Sequence, residues 1–157
     1  MPDLLEQLTA ALKAKGFKIA TAESCTGGMI AAVLTCLPGS SAIFDRGWVT
    51  YSNESKNQLL NVPEDILREH GAVSPQTAEA MVAGVLKFSE ADIAVSVTGI
   101  AGPDGGTIEK PVGLVFIGYG LKSGEIKTAE HHFNGNRDEV REQTVAAALT
   151  HALELLS

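Results

Sequence analysis

Residues Asp92–Thr98 read DIAVSVT and run directly into GIAGPDGGTIEKP, Gly99–Pro111. The first seven are almost unbroken apolar and β-branched, which is the pattern of a short strand covered on both faces. Such a strand lies inside a sheet with helices over it, so the segment predicts an α/β domain with this strand near its centre. The loop that follows holds four glycines between Gly99 and Gly106. Loops beyond strand ends are where α/β domains place their sites.

On the N-terminal side, Leu4, Leu5, Leu8, Ala11 and Leu12 recur at helical spacing, and Gly16 closes that helix after Lys13 and Lys15. Phe17–Ala22 reads as a strand, ESCTGG turns the chain, and the apolar segment Met29–Leu37 ends at Pro38-Gly39. Ile43–Tyr51, with Phe44, Trp48, Val49 and Tyr51, predicts a strand, after which Ser52 or Asn53 caps a helix through Lys56, Leu59 and Leu60. Pro63 opens a short helix ended by His70-Gly71, and Ser74-Pro75 opens a longer one with Ala78, Met81, Val82, Val85 and Leu86 on one face.

On the C-terminal side, Val112–Gly120 and Glu125–Phe133 read as antiparallel strands joined around Lys122–Gly124, followed by a helix over Arg137–Leu156. Nothing resembling a linker, repeat or low-complexity segment interrupts the series. The expectation is one domain over residues 1–157: an α/β, three-layer fold with a mixed sheet of about five strands and helices on both faces.

The 157 residues suffice for a sizeable core, with hydrophobic residues at 45% and charged residues at 20%. Twelve basic against 19 acidic side chains give a net charge of −7, with no Lys/Arg run, which disfavours nucleic acid as a partner. An anionic ligand would have to be met by a few placed cations or backbone N–H groups. No apolar stretch approaches the ~20 residues of a membrane span, and the start lacks a signal-peptide run, so no membrane and a cytoplasmic location are expected. Cys25 and Cys36 are the only cysteines and are expected to stay reduced; no Cys/His spacing suits zinc.

Four stretches carry side chains suited to chemistry. TAESCTGG, Thr21–Gly28, places Glu23, Ser24, Thr26, Gly27 and Gly28 at a strand-to-helix turn, where backbone N–H groups approach a ligand. A buried, structural Cys25 is expected rather than a nucleophile. PGSSAIFDRGWVTYSNESK, Pro38–Lys56, puts Ser40 and Ser41 before a strand and Tyr51 and Lys56 after it. A serine with a lysine or tyrosine partner supplies both nucleophile and base when the amine is held neutral. A sharp return of the chain could bring both ends of that segment to one pocket. SVTGIAGPDGG, Ser96–Gly106, offers Thr98, Gly99 and Gly102 near an oxyanion or phosphate but matches neither the P-loop nor the dinucleotide pattern. FNGNRDEVR, Phe133–Arg141, starts a helix with Arg137, a cation where the helix dipole favours acids, which points either to an anionic ligand or to a pairing with one of the chain's 19 acidic side chains. His131 and His132 point to opposite faces of a strand and cannot share a metal.

Taken in order, TAESCTGG, PGSS with GWVTYSNESK, HGAVS, VTGIAGPDGG with KPVG, and FNGNR resemble the CinA C-terminal domain family, the nicotinamide-nucleotide amidases, over essentially the whole chain. The resemblance implies hydrolysis of the carboxamide of nicotinamide mononucleotide, to nicotinate mononucleotide and ammonia, in pyridine-nucleotide recycling. It implies a Ser/Lys mechanism without metal or cofactor and a homo-oligomer, with a dimer favoured. By position it makes Ser41 the nucleophile, with Ser40 the adjacent candidate, Lys56 the general base and Tyr51 an assisting hydroxyl. It further implies that Thr98, Gly99, Gly102 and Arg137 line the substrate site, with Ser24, Thr26, Gly27 and Gly28 in the turn beside it and Ser40 also in reach of the substrate. Many family members carry a further N-terminal domain with pyrophosphatase activity, which is not expected of this chain. A catalytically silent nucleotide-binding module and an amidase for another small amide are the alternatives.

Overall fold

The computed structural model describes residues 1–157. Six helices surround one five-stranded sheet: α1 (Pro2–Lys15), β1 (Ile19–Glu23), α2 (Met29–Leu34), β2 (Phe44–Val49), α3 (Asn53–Leu60), α4 (Glu64–His70), α5 (Pro75–Phe88), β3 (Ile93–Gly99), β4 (Leu114–Leu121), β5 (Ile126–His132) and α6 (Arg137–Leu155). The strand order is β2-β1-β3-β4-β5, so the DIAVSVT segment does occupy the middle. β1 is parallel to β2 and β3, while β3/β4 and β4/β5 are antiparallel. The expected three-layer mixed α/β sheet is the one observed.

Alternation along the central strands sorts the two layers. Ile93, Val95 and Val97 face one side with Ile19 and Ile117, where they pack with Leu8 and Leu12 of α1, Ile30 of α2 and Val145 and Leu149 of α6. The other face is built from small residues, Ala20, Ala22 and Ala94, packed against Met81, Val82 and Val85 of α5, Leu60 of α3 and Leu67 of α4. Small side chains let α5 come very close: a Cβ on Gly118 would lie 2.6 Å from the Ala78 carbonyl oxygen. Ser96 Oγ donates to that same carbonyl at 2.7 Å. One layer further out, a Cβ on Gly84 would collide with the Leu60 backbone. These two close approaches fix α3, through α5, to the sheet.

Caps set the element ends largely as read. Ser52 caps α3 by accepting from the Ser55 N–H, Ser74 caps α5 by accepting from the Thr77 N–H, and Asn136 with Glu139 forms a capping box at α6. The strand expected over Ile43–Tyr51 is shorter, because Thr50 and Tyr51 leave β2 after one further hydrogen bond from the Thr50 N–H to the Glu23 carbonyl.

Candidate active site

The carboxyl ends of β1, β2 and β3 lie side by side, since Glu23 pairs with both Val49 and Val97. Ser24 follows β1 and is anchored by its N–H to the Val97 carbonyl. Thr50 and Tyr51 follow β2, Thr98 is the penultimate residue of β3, and α3 begins at Asn53 and carries Lys56 inward in its first turn. The antiparallel pair brings the chain back to the same edge, where α6 starts with Arg137.

Lys56 is completely buried. Its Nζ lies 3.0 Å from Ser24 Oγ, 2.7 Å from the Thr50 carbonyl oxygen and 3.4 Å from that of Tyr51. No carboxylate is within ion-pair distance. Burial without a counter-charge pulls its pKa down from 10.5 to about 8. The geometry serves both protonation states. A charged ammonium donates to all three oxygens; the neutral amine keeps two N–H groups on the carbonyls and turns its lone pair to the Ser24 hydroxyl. A serine is therefore held against an amine that can take its proton near neutral pH.

Ser24, Lys56, Tyr51, Thr98, Cys25 and Arg137 line one cavity of about 180 Å³, together with Gly99 and Ala101. A larger cleft, about 390 Å³ beside Tyr119, Leu121 and Glu154, includes Ser157, but that hydroxyl donates to the Leu153 carbonyl at 3.3 Å and not to a base. Burial pushes the Cys25 thiol up to about 11, so it stays protonated and is a poor nucleophile. Thr98 Oγ1 donates to the Ala72 carbonyl at 2.8 Å, tying β3 to the segment before α5.

The expected placement of Ser41 is corrected. Ser40 and Ser41 sit in a 3-10 turn, Ser40–Ala42, before β2. Lys56 lies beyond the other end of that strand, and six residues of strand separate the two by roughly 17 Å. The return of the chain needed to join them does not occur, because β2 runs parallel to β1 and carries the chain away. Ser40 Oγ instead meets the Thr35 carbonyl at 3.4 Å. The serine against Lys56 is Ser24, 32 positions away in sequence, a distance at which no spacing rule could pair them.

Tyr51 belongs to the cavity, but its hydroxyl is held by Arg137 Nη2 at 3.2 Å, and it is the Tyr51 carbonyl that Lys56 touches. Arg137 Nη1 donates to the Gly102 carbonyl at 2.8 Å. Thr26 is fully buried and its hydroxyl donates to Glu23, so it supports the turn from within. Gly27 and Gly28 provide its left-handed backbone, φ 58° and 107°.

Glu23, expected at this turn, is bonded within it. It is 1% exposed, and its carboxylate accepts from Thr26 Oγ1 at 2.6 Å and from the N–H groups of Gly28, Ile30 and Ala31 at 3.2, 2.9 and 3.0 Å. An acid immediately before a glycine turn and a helix is the signal that reveals it. Glu23→Ala strands these buried donors and is expected to cost about 3 kcal/mol or more of stability in urea unfolding, with Glu23→Gln intermediate.

The arrangement defines a three-layer α/β domain with a serine–lysine site at the carboxyl ends of its parallel strands. Residues 2–156 match the model of the CinA C-terminal domain, and the chain belongs to that family. It is 53% identical over 151 residues to nicotinamide-nucleotide amidohydrolase PncC of Enterobacter agglomerans, covering 96% of this chain and 92% of that one. It is 53% identical over 146 residues to the protein of the same description from Escherichia coli K12, covering 93% and 88%. The crystal structure of competence/damage inducible protein CihA from Agrobacterium tumefaciens superimposes with a TM-score of 0.97 at 44% identity, covering 99% of this chain and 94% of that one.

Proposed function

We propose that the chain hydrolyses the carboxamide of nicotinamide mononucleotide to nicotinate mononucleotide and ammonia, with Ser24 as nucleophile and Lys56 as general base. The observation that carries the mechanism is the 3.0 Å contact between Ser24 Oγ and a buried, unpaired lysine amine. The relatives described as nicotinamide-nucleotide amidohydrolases supply the substrate.

Ser24 Oγ attacks the carboxamide carbon while Lys56 Nζ takes its proton. The carbonyl π electrons move to oxygen, and the resulting oxyanion is met by the N–H groups of Cys25 and Thr26, which donate to no protein acceptor. Lys56 returns the proton to the leaving nitrogen, the C–N bond breaks, and ammonia departs. Water then attacks the acyl-enzyme carbonyl with Lys56 again as base, and the proton passes back to Ser24 Oγ. Arg137 stands between the catalytic cavity and a neighbouring cleft of about 610 Å³ lined by Pro103, Val112 and Asn136, and its position at that junction supports a role in holding the nucleotide's phosphate.

Incubating the purified protein with nicotinamide mononucleotide is expected to release ammonia and nicotinate mononucleotide in equal amounts, with chelator making no difference. Binding without product would establish a silent nucleotide-binding module instead; turnover only of other amides would reassign the substrate. Because the base must be neutral, kcat/KM is expected to rise with pH and level off above an apparent pKa of about 8. A rate flat from pH 6 to 9 contradicts Lys56 as base. One amidase domain over residues 1–157, a homodimer and a cytoplasmic location belong to the same reading, the second checked by light scattering.

A further inference from the structure

Arg141, one turn into α6, is half-buried and has no carboxylate partner. Its guanidinium is spent on the turn that carries Ser24: Nε donates to the Cys25 carbonyl at 3.0 Å and Nη2 to the Thr26 carbonyl at 3.2 Å. The turn is thus gripped from two sides by opposite charges, the Glu23 carboxylate collecting N–H groups and Arg141 collecting carbonyls.

The peptide planes follow from those anchors. In a trans peptide the carbonyl and the next N–H point in opposite directions. With the Cys25 carbonyl turned to Arg141, the Thr26 N–H points away from it, and that N–H donates to no protein group. The second anchor works through one more link. The Thr26 carbonyl faces Arg141, the Gly27 N–H of the same peptide donates to the Ser24 carbonyl at 3.1 Å, and the peptide of that carbonyl ends in the Cys25 N–H, also without an acceptor. Hydrogen bonds in series polarise one another, so a charge on the carbonyl side makes the terminal N–H a stronger donor.

We propose that Arg141 is a positioning residue for the hydrolysis, orienting and polarising the Cys25 and Thr26 N–H groups that receive the oxyanion. The inference rests on the amidase reading with Ser24 as nucleophile. Arg141 lines neither the catalytic cavity nor the neighbouring cleft, and its effect belongs to the tetrahedral stage, when the charge on oxygen is largest.

The test compares wild type, Arg141→Ala and Arg141→Lys, each verified as folded by circular dichroism. Removing an oxyanion donor outright costs about 100- to 1000-fold, so weakening two is expected to lower kcat by roughly 10- to 100-fold with KM changed less than about threefold. Arg141→Lys, which keeps the charge but not the fork, recovers part of the loss, as does guanidinium chloride at low millimolar concentration with Arg141→Ala. The decisive readout uses two inhibitors. 3-Pyridylboronic acid, which becomes a tetrahedral anion on a serine, weakens in step with kcat, whereas planar nicotinamide does not. Equal weakening of both inhibitors, or unchanged kcat in Arg141→Ala, overturns the inference. A wild type that releases no ammonia from nicotinamide mononucleotide sinks the amidase reading itself, a separate outcome. Should Arg141→Ala not fold, Arg141→Lys and the inhibitor pair decide alone.

Discussion

Ser24→Ala is expected to reduce kcat for ammonia release by on the order of 1000-fold or more while the protein stays folded and still binds nicotinamide mononucleotide. Only one oxygen is lost, and Ser24 is fixed through its backbone: its N–H stays on the Val97 carbonyl and its carbonyl still receives the Gly27 N–H. The oxyanion donors therefore survive, and the residual rate reports what they achieve without a nucleophile. Ser41→Ala and Ser40→Ala, in the turn at the opposite end of β2, are expected to stay within about twofold of wild type. Steady-state ammonia assays on the three variants settle the matter. An inactive Ser41→Ala beside an active Ser24→Ala would falsify the assignment.

Lys56→Met is expected to be as inactive as Ser24→Ala and, unlike most active-site losses, to be more stable than wild type at neutral pH. Methionine fills much the same volume and carries no charge, so the buried site no longer holds an ammonium without a counter-ion. The pH dependence follows from linkage. The amine's pKa is about 8 in the native state against 10.5 when free, a depressed value. Its favourable contribution is complete above 10.5 and is lost as pH falls through 8. Wild-type stability should thus gain on Lys56→Met between pH 7 and pH 11, by about 3 kcal/mol over the whole span. Urea unfolding of both proteins across that range measures it. A constant difference would mean that the amine is not shifted, and the acid limb of the rate would then need another owner.

The fold was legible because its signals are local. The apolar run at Ile93–Thr98, the serine caps before α3 and α5 and the Lys122–Gly124 hairpin each declare themselves within a few residues. The site was legible only in pieces. Lys56, Tyr51, Thr98 and Arg137 converge because they occupy the ends of elements at one edge, and each is visible as an element end. The pairing of Ser24 with Lys56 depends on β1 and β2 being adjacent and parallel, which neither segment encodes alone. The resemblance points to Ser41, on the same PGSSAIFDRGWVTYSNESK segment as Lys56, but β2 lies between the two and separates them in space. Arg141 sits one helical turn beyond Arg137, and the role proposed for it could be inferred only after Ser24, in the turn it grips, had been found against Lys56.

The mixed sheet divides the molecule's labour by edge. Every group assigned to binding or proton transfer lies where β1, β2 and β3 end and α6 begins, while the 3-10 turn at Ser40–Ala42 and the Lys122–Gly124 hairpin lie at the other. The second edge is tied together through Asp92, whose carbonyl accepts from the Lys122 N–H and whose carboxylate accepts from the Lys18 N–H. Changes of length or charge in those connections are therefore expected to leave turnover undisturbed. An engineer wanting to attach a tag, a surface tether or a second enzyme has a ready-made place for it.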